Sequence, residues 1–374
     1  MTSLAFHVDQ LYYPAPGGIG AYVRRLLPAL ARQDPSLQIR PFHARFSTSG
    51  PVDPALRPFW TEELPDGIRT LHPRWNLTGR PGLPPSLSSN DLLHAPSTGA
   101  VPPAGDRQKL IVTVHDLAFL VVPFAFPPKW RALYRAGLRA AVKRADAIIT
   151  PSRNTAEDLL SRTKVDPERV HVIPLAAALD LGDADPDDVL SRLKVPVPFV
   201  LSVGTLEPRK NLVRLIRAYR RAAATGIPHA LVLAGPLGWR HQTLLREIAL
   251  KGPGDVMLTG PLSPQQLDAL YRRAAALVYP ALYEGVGLPV LEAMARAVPV
   301  ICSNTSSLPE VTGDAALGVN PMWVREIASA IQTVAADAGL AGRLAERGPA
   351  RAERFSWDET ARLTLQVYEK ALER

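Results

Sequence analysis

The stretch FVLSVGTLEPRKNLVRLIRAYRRAA, residues 199 to 223, opens on an almost unbroken apolar run, passes through a glycine and a basic pair, and continues with apolar residues at Leu212, Leu215, Ile216 and Tyr219. The first run reads as a strand buried on both faces, and the 3.6-residue spacing that follows reads as an amphipathic helix. The same alternation returns at ALVLAGP (230–236), VMLTG (256–260), ALVYPAL (276–282) and PVICSN (299–304). Alternating apolar strands and helices imply an α/β fold with a parallel sheet covered on both faces. Such sheets bind ligands beyond the carboxyl ends of their strands, near a switch point. Arg209, Lys210, Glu284 and Gly285 all follow strand ends of this kind.

The first half repeats the theme less regularly, with strands expected near 3–9, 91–94, 110–115, 146–151 and 170–173. Residues 44–90, rich in Pro, Gly and Ser, read as long loops. LDLGDADPDDVLSRLKVPVP (179–198) has the polar, proline-punctuated character of a linker. The expectation is two doubly wound, Rossmann-like domains, 1–180 and 181–355, facing each other across a cleft. The amphipathic segment WDETARLTLQVYEKAL, within 356–374, is expected as a final helix.

Composition agrees. A chain of 374 residues exceeds the size of one growing core, and 47% hydrophobic residues suffice for two. The single cysteine, Cys302, excludes an intrachain disulfide and fits a reducing compartment. MTSLAFHVDQLYYP reads as a first strand rather than a secretory signal, and the apolar run LAFLVVPFAFPP (117–128) is too short to span a membrane. A cytoplasmic protein is expected. The net charge of +8 points to an anionic partner: nucleic acid, a phospholipid surface or a phosphorylated small molecule.

Several motifs carry chemistry. YEGVGLPVLEAMA (283–295) sets Glu284 and Glu292 across a Gly-Val-Gly-Leu-Pro turn. In a bland reading Glu284 ends a strand and Glu292 sits in the first turn of a helix started by Pro289, where the dipole favours acids. That leaves Gly285 and Gly287 unexplained, since they strip side chains from a helix start and free backbone N–H groups for an anion or oxygen. In GTLEPRKN (204–211), Arg209 and Lys210 stand at an expected helix start, where two cations oppose the dipole unless an anion intervenes. A diphosphate would resolve that conflict; a solvated basic pair is the alternative.

GGIGAYVRRLLPAL (17–30) places Gly17, Gly18 and Gly20 where a bare backbone could meet phosphate or sugar, or simply turn. TVHDLAFL (113–120) puts His115 and Asp116 at a strand end, with His115 expected as a neutral imidazole facing substrate hydroxyls or a backbone carbonyl. The acidic run DADPDD (183–188) reads as solvated linker rather than a metal site, and no metal ligand set is assigned. Arg131, Arg135, Arg139 and Lys143 form one row of a helix, with Trp130 and Tyr134 beside it. Like charges at four-residue steps repel, so the row is either a solvated face or a contact for an anionic membrane.

Taken in order, GGIGAY, VTVHDLAF, ITPSRNTAEDLL, GTLEPRKN, YEGVGLPVLEAMA and SLPEVTGDAALGVNP resemble the retaining glycosyltransferases of family 4 from about residue 3 to the final helix. The resemblance implies the GT-B architecture, with a nucleotide sugar held mainly by the second domain and the final helix returning to the first. It makes Glu292 the acceptor of the donor ribose hydroxyls and Glu284 a partner of the sugar hydroxyls. Gly204 and the amides of Gly285, Val286, Gly287 and Leu288 would lie against sugar and phosphates. Arg209 and Lys210 would neutralise the departing diphosphate, and His115 would contact the transferred sugar near its 6-position. Many relatives carry arginine directly after the glycine of the 204 motif; here Thr205 stands there, leaving Arg209 to supply that charge. The GTLEPRKN form is similar to that of bacterial mannosyltransferases, which implies mannose from GDP-mannose passed to a glycan or lipid-linked acceptor. A UDP- or dTDP-sugar donor is the runner-up, and a degenerate membrane- or nucleic-acid-binding module the reading of another class. The nucleotide sugar is a substrate, and no cofactor is implied.

Overall fold

The computed structural model describes residues 1–14, 16–47, 53–179, 182 and 184–374. It divides into two units: Met1–Leu120, Pro128–Leu175 and Ser356–Arg374 form the first, and Val121–Pro127 with Ala176–Phe355 the second. Each is built on one sheet whose strands are all parallel.

The first sheet holds β1 (Ser3–His7), β2 (Gln38–Arg45), β3 (Glu62–Gly67), β4 (Leu92–Ala95), β5 (Lys109–Thr113), β6 (Ala147–Thr150) and β7 (Val170–Val172), in the order 3-2-1-4-5-6-7. The second holds β8 (Phe199–Val203), β9 (Ala230–Ala234), β10 (Val256–Gly260), β11 (Ala276–Tyr279), β12 (Val300–Ser303) and β13 (Leu317–Val319), in the order 10-9-8-11-12-13. Strand order therefore reverses between β1 and β4 in one sheet and between β8 and β11 in the other. Those are the places where a doubly wound sheet opens a crevice at its strand ends.

Local sequence explains the central strands. Every residue of β8 and β9 is buried, as a strand covered by helices on both faces requires. The helix Leu212–Ala223 buries Leu215, Ile216 and Tyr219 on one side of β8. At the strand ends Gly235 has φ +138, and a Cβ there would meet the carbonyl oxygen of Gly204 at 2.2 Å. Only glycine lets these two backbones approach so closely.

Two segments differ from their sequence reading. Residues 44–90 contain the end of β2, all of β3 and the helices Ile68–Thr78 and Pro85–Ser88. Pro41 in β2, Pro65 in β3 and Pro73 inside the helix conceal ordered backbone behind a residue that usually breaks it. The supposed linker holds the helix Pro186–Leu193: Asp185 accepts a hydrogen bond from the Asp187 amide (3.0 Å), Pro186 fills the first position, and Leu190 joins the second core. The acids of 184–188 thus start a helix; Asp183 lies outside the described residues.

The division is not at one point along the chain. Within the second unit the Trp239 indole donates to the carbonyl of Ala125 (2.6 Å) and packs on the Phe126 ring. The final helix, Trp357–Glu373, belongs to the first unit. There Tyr368 bonds His94 of β4 (2.6 Å), Thr360 donates to the carbonyl of Pro174 (2.7 Å), and Trp357 packs near Tyr22.

Candidate active site

Beyond β8 the chain makes a short 3-10 turn, Pro208–Lys210, before the helix Leu212–Ala223 begins. Arg209 and Lys210 therefore precede the helix rather than start it. Asn211 between them and the helix is left-handed (φ +61), and its buried amide donates to the carbonyls of Pro280 (3.0 Å) and Pro321 (2.7 Å). That clips the basic turn to the segment after β11, which carries Glu284.

Four side chains meet at one oxygen or next to it. Lys210 Nζ lies 2.6 Å from Glu284 Oε1, a guanidinium nitrogen of Arg209 lies 2.7 Å from the same atom, and the Tyr279 hydroxyl donates to it at 3.1 Å. Arg209 also donates through Nε to Glu207 Oε1 (2.9 Å) and through Nη1 to the carbonyl of Tyr283 (3.1 Å). The conflict between two cations and a helix start is thus met by protein carboxylates, not by a bound anion alone. Glu284 does not end a strand either, since it stands five residues past β11.

Burial shapes the charges. It would raise the Glu284 carboxyl pKa, but Arg209 and Lys210 outweigh it and hold the group below the usual range. It pulls the Lys210 ammonium down, against the opposing carboxylate. It pushes Glu207 up despite Arg209, and among the described residues Glu207 Oε2 has no hydrogen-bond partner. Protonation therefore comes more easily to Glu207 than to Glu284, and protonating Glu207 leaves two cations facing one carboxylate, a site short of negative charge.

Glu292 is the fifth residue of the helix Leu288–Met294, so the first-turn dipole reading does not apply to it. It is buried and accepts from the Tyr271 hydroxyl at 2.9 Å. Gly287, at φ +89, is the N-cap, and a Cβ there would strike Leu308 at 2.5 Å. Among the described residues none accepts from the amides of Gly285, Val286 or Gly287. The loop is held from behind: the Ser307 hydroxyl donates to the carbonyl of Glu284 (2.8 Å), and the Glu284 amide donates to Ser306 Oγ (3.2 Å).

The remaining expected residues lie in the first unit. Gly17, Gly18 and Gly20 form the first turn of the helix Gly17–Gln33 rather than a loop before it; Gly17 is left-handed and a Cβ on Gly20 would meet Pro16 at 2.2 Å. His115 follows β5 and donates through Nε2 to the carbonyl of Pro96 (2.9 Å), while burial lowers its pKa to about 4. It is a neutral imidazole whose Nδ1 carries the lone pair. The cationic row lies on the helix Pro128–Arg144, with Arg135, Arg139 and Lys143 exposed and Arg131 half-buried. Among the described residues none of the four has an acidic partner. Trp130 is exposed, whereas Tyr134 stacks on Phe119.

The model of the "Glycosyltransferase Family 4" domain matches residues 16–181, and that of "Glycosyl transferases group 1" matches 189–351. The O-antigen chain mannosyltransferase B of Escherichia coli is 32% identical over 70% of this chain and 70% of its own length. The chain belongs to the family 4 glycosyltransferases. Serotype-specific mannosyltransferase WbdA of Escherichia coli is 30% identical over 74% of this glycosyltransferase, which spans 35% of WbdA. Sucrose-phosphate synthase from Thermosynechococcus elongatus, 23% identical, matches 99% of each chain with a TM-score of 0.74. The fold is GT-B, two Rossmann-like units.

Sequence reasoning about this glycosyltransferase overlooked Glu207, Tyr279, Tyr271 and Ser307. Glu207 was within sight, two residues before Arg209 in GTLEPRKN. The others lie outside the glycine-rich and basic stretches, and only the pairing of β8 with β11 brings Tyr279 to Lys210.

Proposed function

We propose that this glycosyltransferase moves a hexose, mannose from GDP-mannose, to a hydroxyl of a glycan or lipid-linked acceptor with retention at the anomeric carbon. The observation that carries this reading is the meeting of Arg209 and Lys210 on Glu284 at the switch point between β8 and β11. Fixed cations beside a position where charge develops stabilise a departing diphosphate without reorganising. Supplied by these two side chains, that charge needs no divalent ion. The side-chain contacts described for Glu284 fall on Oε1, which leaves Oε2 for a sugar hydroxyl. Glu292 accepts from the donor ribose, the amides of Gly285 to Leu288 meet sugar and phosphates, and His115 faces the sugar's 6-position.

Retention proceeds on one face. The bond from the anomeric carbon to the phosphate oxygen breaks, the acceptor oxygen bonds to the same face, and its proton passes to the departing phosphate. Mannose is chosen because the similar O-antigen chain protein is a mannosyltransferase. The exposed row Arg135, Arg139, Lys143 beside Trp130 supports a second element, peripheral contact with an anionic membrane where a lipid-linked acceptor resides. No helix of the described residues is long and apolar enough to cross one.

Incubation with GDP-, UDP-, dTDP- and ADP-sugars, without added metal, tests the donor through thermal shift and slow release of nucleotide. GDP-mannose is expected to give both signals. A response confined to UDP- or dTDP-sugars overturns the donor, and silence beside a working control transferase favours a binding module.

A further inference from the structure

We propose that His7, Asp9 and His72, in the first unit, form a site for a borderline divalent cation of the zinc class. His7 ends β1, Asp9 opens the 3-10 turn Asp9–Tyr12, and His72 projects from the helix Ile68–Thr78. His7 Nε2 and His72 Nε2 lie 2.9 Å and 2.6 Å from the same carboxylate oxygen, Asp9 Oδ2. The three ligand atoms are all within 4.8 Å of one another.

The cluster is buried, with Asp9 1% and His7 4% exposed. His72 makes a hydrogen bond to Asp9 Oδ2, whereas His7 Nε2, 2.9 Å from the same oxygen, has no well-aligned hydrogen-bond partner among the described residues. A buried ring nitrogen aimed at a carboxylate without a hydrogen bond is the exception that calls for a missing partner. An ion placed among the three atoms would use a lone pair of each.

The spacing lies close to what an ion needs. Two ligands of a tetrahedral ion, with bonds of about 2.1 Å, stand about 3.4 Å apart. The His7 and His72 distances of 2.9 Å and 2.6 Å would open by roughly 0.5 Å and 0.8 Å on that geometry. Two imidazoles and one carboxylate suit Zn²⁺ and its first-row neighbours better than Mg²⁺ or Ca²⁺, which prefer oxygen.

Part of an outer shell is in place. Asp9 Oδ1 accepts from the Ala44 amide at 2.7 Å, fixing the carboxylate, and the Trp75 ring packs against both imidazoles. The ion would clamp β1, β2 and the helix Ile68–Thr78 together just before the glycine-bearing start of Gly17–Gln33. Its role is to hold that turn, not to take part in transfer.

The test uses untagged protein, stripped with a chelator and titrated with Zn²⁺ and Co²⁺. One ion per chain and a raised Tm are expected, with X-ray absorption showing two imidazole ligands. His7→Gln and His72→Gln should each weaken binding by roughly tenfold or more, as ligand loss exceeds the effect of losing an outer-shell partner. Substoichiometric binding, or unchanged affinity in both folded variants, overturns the site. Should the variants fail to fold, the absorption spectrum of the loaded natural protein decides: fewer than two imidazoles refutes the proposal.

Discussion

Lys210 Nζ and Glu284 Oε1 are 2.6 Å apart, and Arg209 shares that oxygen. The pair joins the turn after β8 to the loop after β11, so one contact sets the position of both a cation and an acid. It also makes the two residues separable by experiment, because removing Lys210 leaves Glu284 paired with Arg209.

Lys210→Ala should therefore reduce kcat at least tenfold, a loss of about 1.4 kcal/mol in transition-state stabilisation, while the protein stays folded. Nucleotide release under saturating donor measures it. Unchanged turnover removes Lys210 from the diphosphate site.

Glu284 gives a pH dependence. Its folded pKa is lowered, so its contribution to stability is complete above the ordinary value of 4.5 and is lost as pH falls through the folded value. Melting curves of the natural protein and Glu284→Gln should differ most near neutrality and converge in acid. A gap that widens below pH 4.5 contradicts the pairing.

His94 adds a second, milder acid limb. Burial lowers its pKa to about 3 from 6.5, so the unfolded chain takes up a proton between those values and the folded chain does not. Stability should fall as pH drops from 6.5 toward 3, with His115 contributing in the same sense. In His94→Gln the Tm should decline less steeply over that range; an identical slope would mean that His94 charges within the fold.

Glu292→Gln should weaken donor binding about tenfold, the value of one hydrogen bond to a charged group, yet keep the fold, since the amide oxygen still accepts from Tyr271. Donor titration by calorimetry distinguishes this from a structural effect, which would lower Tm as well.

Reversing Arg135 and Arg139 to glutamate should cut binding to phosphatidylserine vesicles by at least tenfold, at about 1 kcal/mol for each basic residue near such a surface. Nucleotide affinity should not change. Equal vesicle binding retires the membrane contact.

Much of this is legible in the amino-acid sequence alone. Apolar strand runs announced β8, β9, β11 and β12, and the basic pair and the two glutamates stood out by chemistry alone. β2, β3 and the helix Ile68–Thr78 did not, because prolines and polar side chains hide ordered backbone whose register is set by neighbouring strands. His7 and Asp9 are two residues apart in sequence, yet their chemistry emerges only with His72 beside them, 63 residues beyond Asp9. The mutual pairing of Arg209, Lys210 and Glu284 was equally invisible, since it needs β8 laid against β11.

The helix Trp357–Glu373 completes a unit begun by β1, with almost the whole second unit between them. On the ribosome, residues 176–355 emerge before Tyr368 and Trp357, the final-helix contacts of His94 and Tyr22, exist. The second unit can fold while the first still waits with an open apolar face. A fragment ending at Leu175 should aggregate, and restoring residues 356–374 through a short tether should bring it back into solution.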